Sequence, residues 1–166
     1  KQGFVSPAHL EVKYKGHSFD VRKGTAAAHQ GSSWKIECLR VPETGYDAGY
    51  NEKESAKIQF RPGDFDVFLA AGPGKDKNWA DFGWILPMSE LAAQGVVKSD
   101  GKSGKNRVHL HKPAILPRPS EYDWTRQLLV DFRDIDSVRT RLETIFDNII
   151  SARESNSSEI YSVDNV

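Results

Sequence analysis

A chain of 166 residues with 38% hydrophobic content, including eight phenylalanines, five tyrosines and four tryptophans, is long enough to form one domain that buries roughly 70% of the surface its unfolded form would expose. Lysine plus arginine equals aspartate plus glutamate at 23 each, so global charge draws the chain neither to nucleic acid nor to a membrane, and any basic surface must be local. The single cysteine, Cys38, excludes an internal disulfide and a multi-cysteine zinc site, and no stretch approaches the roughly 20 apolar residues of a membrane span.

Residues 1–8 read as an entry segment, and from His9 the text alternates. Leu10, Val12 and Tyr14 share one face while Glu11, Lys13 and Lys15 share the other, as in a half-buried strand. Gly16-His17 is the expected turn into a second short strand at 18–22. The small, polar stretch 24–33 reads as a loop with room for one helical turn at 26–28. Trp34–Val41 is a third strand stopped by Pro42, and 43–57, with little periodicity, reads as a long surface loop. A short edge strand at 58–60 precedes Pro62-Gly63. The centre of the sheet is then the hairpin formed by the apolar runs 65–71 and 82–86, bounded by Gly and Pro and buried on both faces. Ser89 is the expected cap of a short helix that Gly95 ends. A flexible basic loop at 98–106, a strand at 107–111 and an extended proline-rich crossing at 113–119 follow. A turn or helix over 124–132 leads into the last helix, which Asp136 or Ser137 caps. There Val138, Leu142, Ile145 and Ile149 recur at helical spacing.

These elements predict the α+β class: a mixed, largely antiparallel central sheet with the C-terminal helix packed on it. Residues 1–153 form one globular domain and the polar 154–166 a flexible tail. The chain begins at Lys1 with no methionine and no signal-peptide pattern, so it is expected to be part of a larger intracellular protein, cytoplasmic or nuclear.

Four pieces of the chain are similar to segments of the restriction-endonuclease-like, PD-(D/E)XK superfamily. They are Ser18-Phe-Asp20-Val, Trp34-Lys-Ile-Glu37-Cys-Leu39-Arg40, Gly63-Asp-Phe-Asp66-Val and Trp84-Ile-Leu-Pro87-Met-Ser-Glu-Leu91. The resemblance covers roughly residues 9–95. It implies metal-dependent phosphodiester cleavage, with Asp20 and Glu37 holding Mg²⁺ and activating its bound water. The family's lysine, two residues after the glutamate, is replaced by Leu39. Lys35, on the same strand face as Glu37, is the substitute that could assist the water, and Arg40 suits phosphate contact. Without that lysine the resemblance also implies a relative that binds DNA or RNA and no longer cuts it. Asp66, an acid inside an apolar run, needs a partner if buried and is the next carboxylate to inspect.

Charge gives a second route to nucleic acid. Lys98, Lys102, Lys105, Arg107, Lys112 and Arg118 stand against Asp100 alone between positions 98 and 118, and Lys13 lies in the first hairpin. Tyr46, Tyr50 and Trp79 could stack on bases. His109 and His111 share a strand face, without a third ligand in view for zinc. The competing expectation, from another class, is a non-catalytic protein-interaction module whose contact surface is the 43–57 loop and the aromatic loops.

Overall fold

Both residues of the turn Lys15-Gly16 have positive φ, 48° and 78°, and they join β1 (Ala8–Tyr14) to β2 (His17–Thr25) as a two-residue hairpin with Tyr14 opposite His17. Positive φ at both positions is the type I′ geometry, whose twist matches that of paired strands. The turn therefore sits one residue earlier than Gly16-His17. The computed structural model describes residues 8–28, 33–40, 58–73, 79–111 and 121–162. Along these, β3 is Ala27–Ala28, β4 Ser33–Glu37, β5 Leu39–Arg40 and β6 Ile58–Gln59. The central pair is β7 (Val67–Pro73) and β8 (Trp79–Pro87), followed by α1 (Met88–Ala93), β9 (Arg107–His111), a 3-10 helix (Asp123–Leu128), β10 (Leu129–Asp131) and α2 (Ile135–Ser162).

The principal sheet has five strands in the order β1-β2-β7-β8-β10. Only the β2–β7 pair is parallel; the other three are antiparallel. The domain is thus α+β with a mixed, largely antiparallel sheet, and α2 packs on one face of it. Phe19, Val21, Val67, Ile85 and Val130 bury that face against Phe146, Val138, Leu142, Ile145 and Ile149 of α2. The Phe19 and Phe146 rings stack at 4.2 Å.

Not every strand joins the central hairpin, however. β4 and β9 form a separate three-stranded sheet with β3, and β5 pairs with β6. Ile36, Cys38, Val108 and Leu110 of this second layer pack with Phe68, Ala70, Trp84 and Leu86 from the opposite face of the principal sheet. A sheet that is apolar on both faces needs two covers. Here α2 is one and the second sheet is the other, with the Trp84 indole N–H donating to the His111 carbonyl at 3.3 Å between them.

Four local expectations change. Residues 26–28 are extended: Ala26 is fully buried and donates its N–H to the Ala71 carbonyl at 2.8 Å. Pro87, not Ser89, stands at the start of α1, where the Met88 N–H is taken by the Asp66 carbonyl at 2.9 Å, so a tertiary bond replaces the side-chain cap. Its other end follows expectation: Gly95 has φ +64°, and the bonds Gly95 N–H to Ala92 carbonyl and Val96 N–H to Leu91 carbonyl form a Schellman ending, with Leu91 and Val96 both buried. Asp134, two residues before the expected cap, accepts the Ser137 N–H at 3.1 Å and starts α2. That helix runs to Ser162, past the boundary at 153, because no Gly or Pro interrupts 135–162; what is lost beyond 150 is the apolar face, and 151–158 are exposed helix. The expected 43–57 loop and the 113–119 crossing lie outside the described residues.

Candidate nucleic-acid interface

Alternation along β9 divides its side chains cleanly. Val108 and Leu110 are fully buried, leaving Arg107 exposed and His109 and His111 half-buried on the other side. In the neighbouring strand, Lys35 stands in register with His109 and Glu37 with Arg107. Tyr122, just ahead of the 3-10 helix, lies over this row, its ring 5.2 Å from that of His109 and 6.5 Å from that of His111. The Lys105 ammonium sits 4.7 Å above the same ring and 3.4 Å from the Glu121 carboxylate. Buried Thr125 fixes the arrangement from below, accepting the His111 N–H at 2.9 Å and donating its hydroxyl to the Tyr122 carbonyl at 2.8 Å.

The basic segment feeding β9, expected to be a flexible loop, has its backbone held at several points. Lys98 N–H bonds the Phe60 carbonyl at 2.6 Å and Lys105 N–H the Val96 carbonyl at 2.8 Å, while Ser99 and Lys102 bridge across a turn at Gly101. The Gln59 amide donates to the Gly104 carbonyl at 2.8 Å and its oxygen accepts the Gly104 N–H at 2.9 Å. A Cβ at Gly104 would come within 2.4 Å of the Val96 carbonyl oxygen, so glycine is required there. Lys98, Lys102 and Arg107 are thereby presented in exposed positions from a fixed frame.

The electrostatics fit a neutral phenol beside an ionised acid. Glu121 is held below its usual range, first by the Tyr122 hydroxyl and then by Lys105. Burial, then Glu121, pushes Tyr122 upward. Burial and the nearby Arg126 guanidinium push His111 down.

The acidic residues are arranged differently from the family pattern. Asp20 lies in β2 of the principal sheet, opposite Glu11, whereas Lys35 and Glu37 lie in β4 of the second sheet. The two strands are not paired, so the pleat alone does not turn Asp20 and Glu37 toward one ion. Among the described residues no three His, Cys, Asp or Glu side chains gather as metal ligands, and we derive no step through Mg²⁺. Asp66 has found its partner: one oxygen accepts the Asp20 backbone N–H at 2.8 Å and the other the Arg153 guanidinium at 3.0 Å. It locks α2 and β2 to the start of β7.

Of the other expected contacts, Lys13 is exposed in β1, an edge strand of the principal sheet, apart from the β9 row. Arg40 pairs through its backbone with Ile58, in a ladder of its own with Leu39. Lys112, Arg118, Tyr46 and Tyr50 lie outside the described residues. The sequence offers little for Tyr122, an aromatic beside an acid at the start of a turn. No helix among the described residues is long and apolar enough to cross a membrane.

No family model and no curated protein matches the chain. The crystal structure of MepB is similar to it with a TM-score of 0.51 at 10% identity, over 74% of this chain and 76% of that one. Identity this low speaks for a shared fold and for nothing further.

Proposed function

We propose that this is a nucleic-acid-binding domain of the PD-(D/E)XK kind that holds phosphate backbones and has lost the cutting centre. The observation that carries the reading is the β9 row, where Lys105, His109 and His111 surround Tyr122 and Arg107, Lys98 and Lys102 are exposed. Cations there meet phosphates, and the aromatic and imidazole rings offer faces to bases. Leu39 at the position of the family's lysine, and Asp20 and Glu37 on strands of separate sheets, support binding without cleavage. DNA and RNA share this chemistry, and an intracellular setting goes with it.

The test is fluorescence anisotropy with labelled single- and double-stranded DNA and RNA. Affinity should fall linearly on a log–log plot against salt, and Lys105→Ala/Arg107→Ala should lower it by about tenfold or more while reducing the slope by about 2. Metal-dependent cutting abolished by Asp20→Ala and by Glu37→Ala would overturn the loss of catalysis and make Lys35 the residue to test for assisting the water. Salt-insensitive association with a protein and none with nucleic acid would leave the interaction module instead.

A further inference from the structure

We infer that β1 is the contact edge of a symmetric dimer, in which the β1 strands of two copies of this chain pair antiparallel about Val12 and join their principal sheets. The inference stands apart from the nucleic-acid reading and uses none of the residues of the β9 row.

The two edges of the principal sheet differ. β10 is three residues long, and its Asp131 is held by Arg133. β1 is seven residues long and, among the described residues, has a strand on one side only. An open edge of that length offers a ladder to another chain. The turn fixes which backbone groups look outward. In a two-residue hairpin the pair that closes the turn, here Tyr14 and His17, exchanges both hydrogen bonds, and bonded pairs alternate along the ladder. Leu10, Val12 and Tyr14 therefore bond to β2, while Glu11 and Lys13 turn their N–H and C=O groups away from it.

The pattern along this edge is complementary to itself. An antiparallel pair centred on Val12 sets Glu11 of each copy opposite Lys13 of the other, opposite charges at hydrogen-bonded positions with both side chains exposed. Centring the pair on Glu11 or on Lys13 instead would put like charges face to face, so charge selects the register. On the α2 side the same register sets Val12 against Val12 and Leu10 opposite Tyr14. Among the described residues Leu10 and Ile135 are the large hydrophobic side chains left exposed, by 48% and 59%. Tyr14 lines an open, mainly apolar groove of about 400 Å³ between β1 and α2, together with Val12, Ile135, Leu142 and Phe146. Leu10 of one copy is thus brought to the groove of the other, and the two grooves are filled by the same exchange.

The test is sedimentation equilibrium of the whole chain between about 1 µM and about 1 mM. The wild type should pass reversibly from monomer to dimer as concentration rises. Lys13→Glu and Glu11→Lys should each weaken the dimer by about tenfold or more, because each turns two attractive cross-strand pairs into repulsive ones. Mixing the two variants should restore association, since every acid then faces a lysine again, and so should Glu11→Lys/Lys13→Glu in one chain. Restoration on mixing also shows that neither variant is misfolded. Leu10→Ala should weaken the dimer without responding to mixing. A monomer at every concentration overturns the pairing and leaves the edge to a strand of another chain. A dimer that ignores both charge reversals, or a loss that mixing does not reverse, overturns the β1 contact.

Discussion

Trp84→Ala should destabilise the domain by about 3–5 kcal/mol, the range for removing a large buried aromatic. Trp84 is fully buried in the middle of β8, between Ala70 of β7 and Leu129 of β10. Its ring meets Phe82 edge-on at 5.6 Å, and its indole N–H reaches the second sheet through the His111 carbonyl. The substitution therefore opens a cavity between the two sheets and removes a bond that ties them. Total stability for a domain of this kind is of order 5–15 kcal/mol, so the variant would be marginal. Urea unfolding should show a lower midpoint with the same slope. Trp84→Phe, which keeps a ring and loses the donor, should cost about 1–2 kcal/mol. An alanine effect below about 1 kcal/mol would mean that the layers do not meet around this side chain.

Asp66→Ala should cost about 2–3 kcal/mol, the second large effect, because it removes two hydrogen bonds of an ionised acceptor. The first bond, to the Asp20 N–H, continues the parallel β2–β7 ladder past its last backbone pair. The second, to Arg153, tethers α2. They are separable, since the Arg153 side chain is 41% exposed and its ion pair is screened. Arg153→Ala should therefore cost less than about 1 kcal/mol in that contact, and Asp66→Asn, which retains an acceptor for Asp20, should fall between the two. If Arg153→Ala matched Asp66→Ala, the helix tether and not the strand bond would be the source of the effect. A double-mutant cycle measures how much of the Asp66 effect passes through Arg153.

The sequence shows elements best where periodicity and burial coincide. Val12 and Tyr14 alternate with polar neighbours because one face of β1 looks toward α2, although Leu10 at its start stays exposed, and Val138 to Ile149 recur because that stripe is what α2 buries. Where packing overrides local preference, the reading fails. Alanines at 26–28 favour a helix in isolation, but here Ala26 is buried and bonded to Ala71 of β7, and the chain runs on as β3. β10 is three residues long and is a strand only because Trp84, Gly83 and Phe82 stand opposite it. β4 and β5 read as one strand because Ile36 and Cys38 both point into the core; the break between them comes from a change of partner, from β9 to β6. The same logic covers the site. The spacing of Arg107, His109 and His111 puts them on one strand face, which the sequence shows. That Tyr122 lies over the two histidines is a long-range contact, which no local pattern encodes. The placement of Asp20 and Glu37 on strands of separate sheets is illegible for a related reason, since strand order along the chain does not reveal which sheet a strand joins.

The position of Cys38 has a practical consequence. It is fully buried at the junction of β4 and β5, its N–H bonded to the Asn106 carbonyl and its carbonyl to the Phe60 N–H. As the sole thiol of the chain, it makes covalent labelling a clock for opening of this seam, readable by mass with no introduced probe. Modification should be slower than in the unfolded chain by a factor of about 10³ or more if the seam opens only with the whole domain. Fast labelling in native buffer would instead mark the β4–β5 junction as a place where the fold breathes independently, and so where the β9 row could shift against the principal sheet.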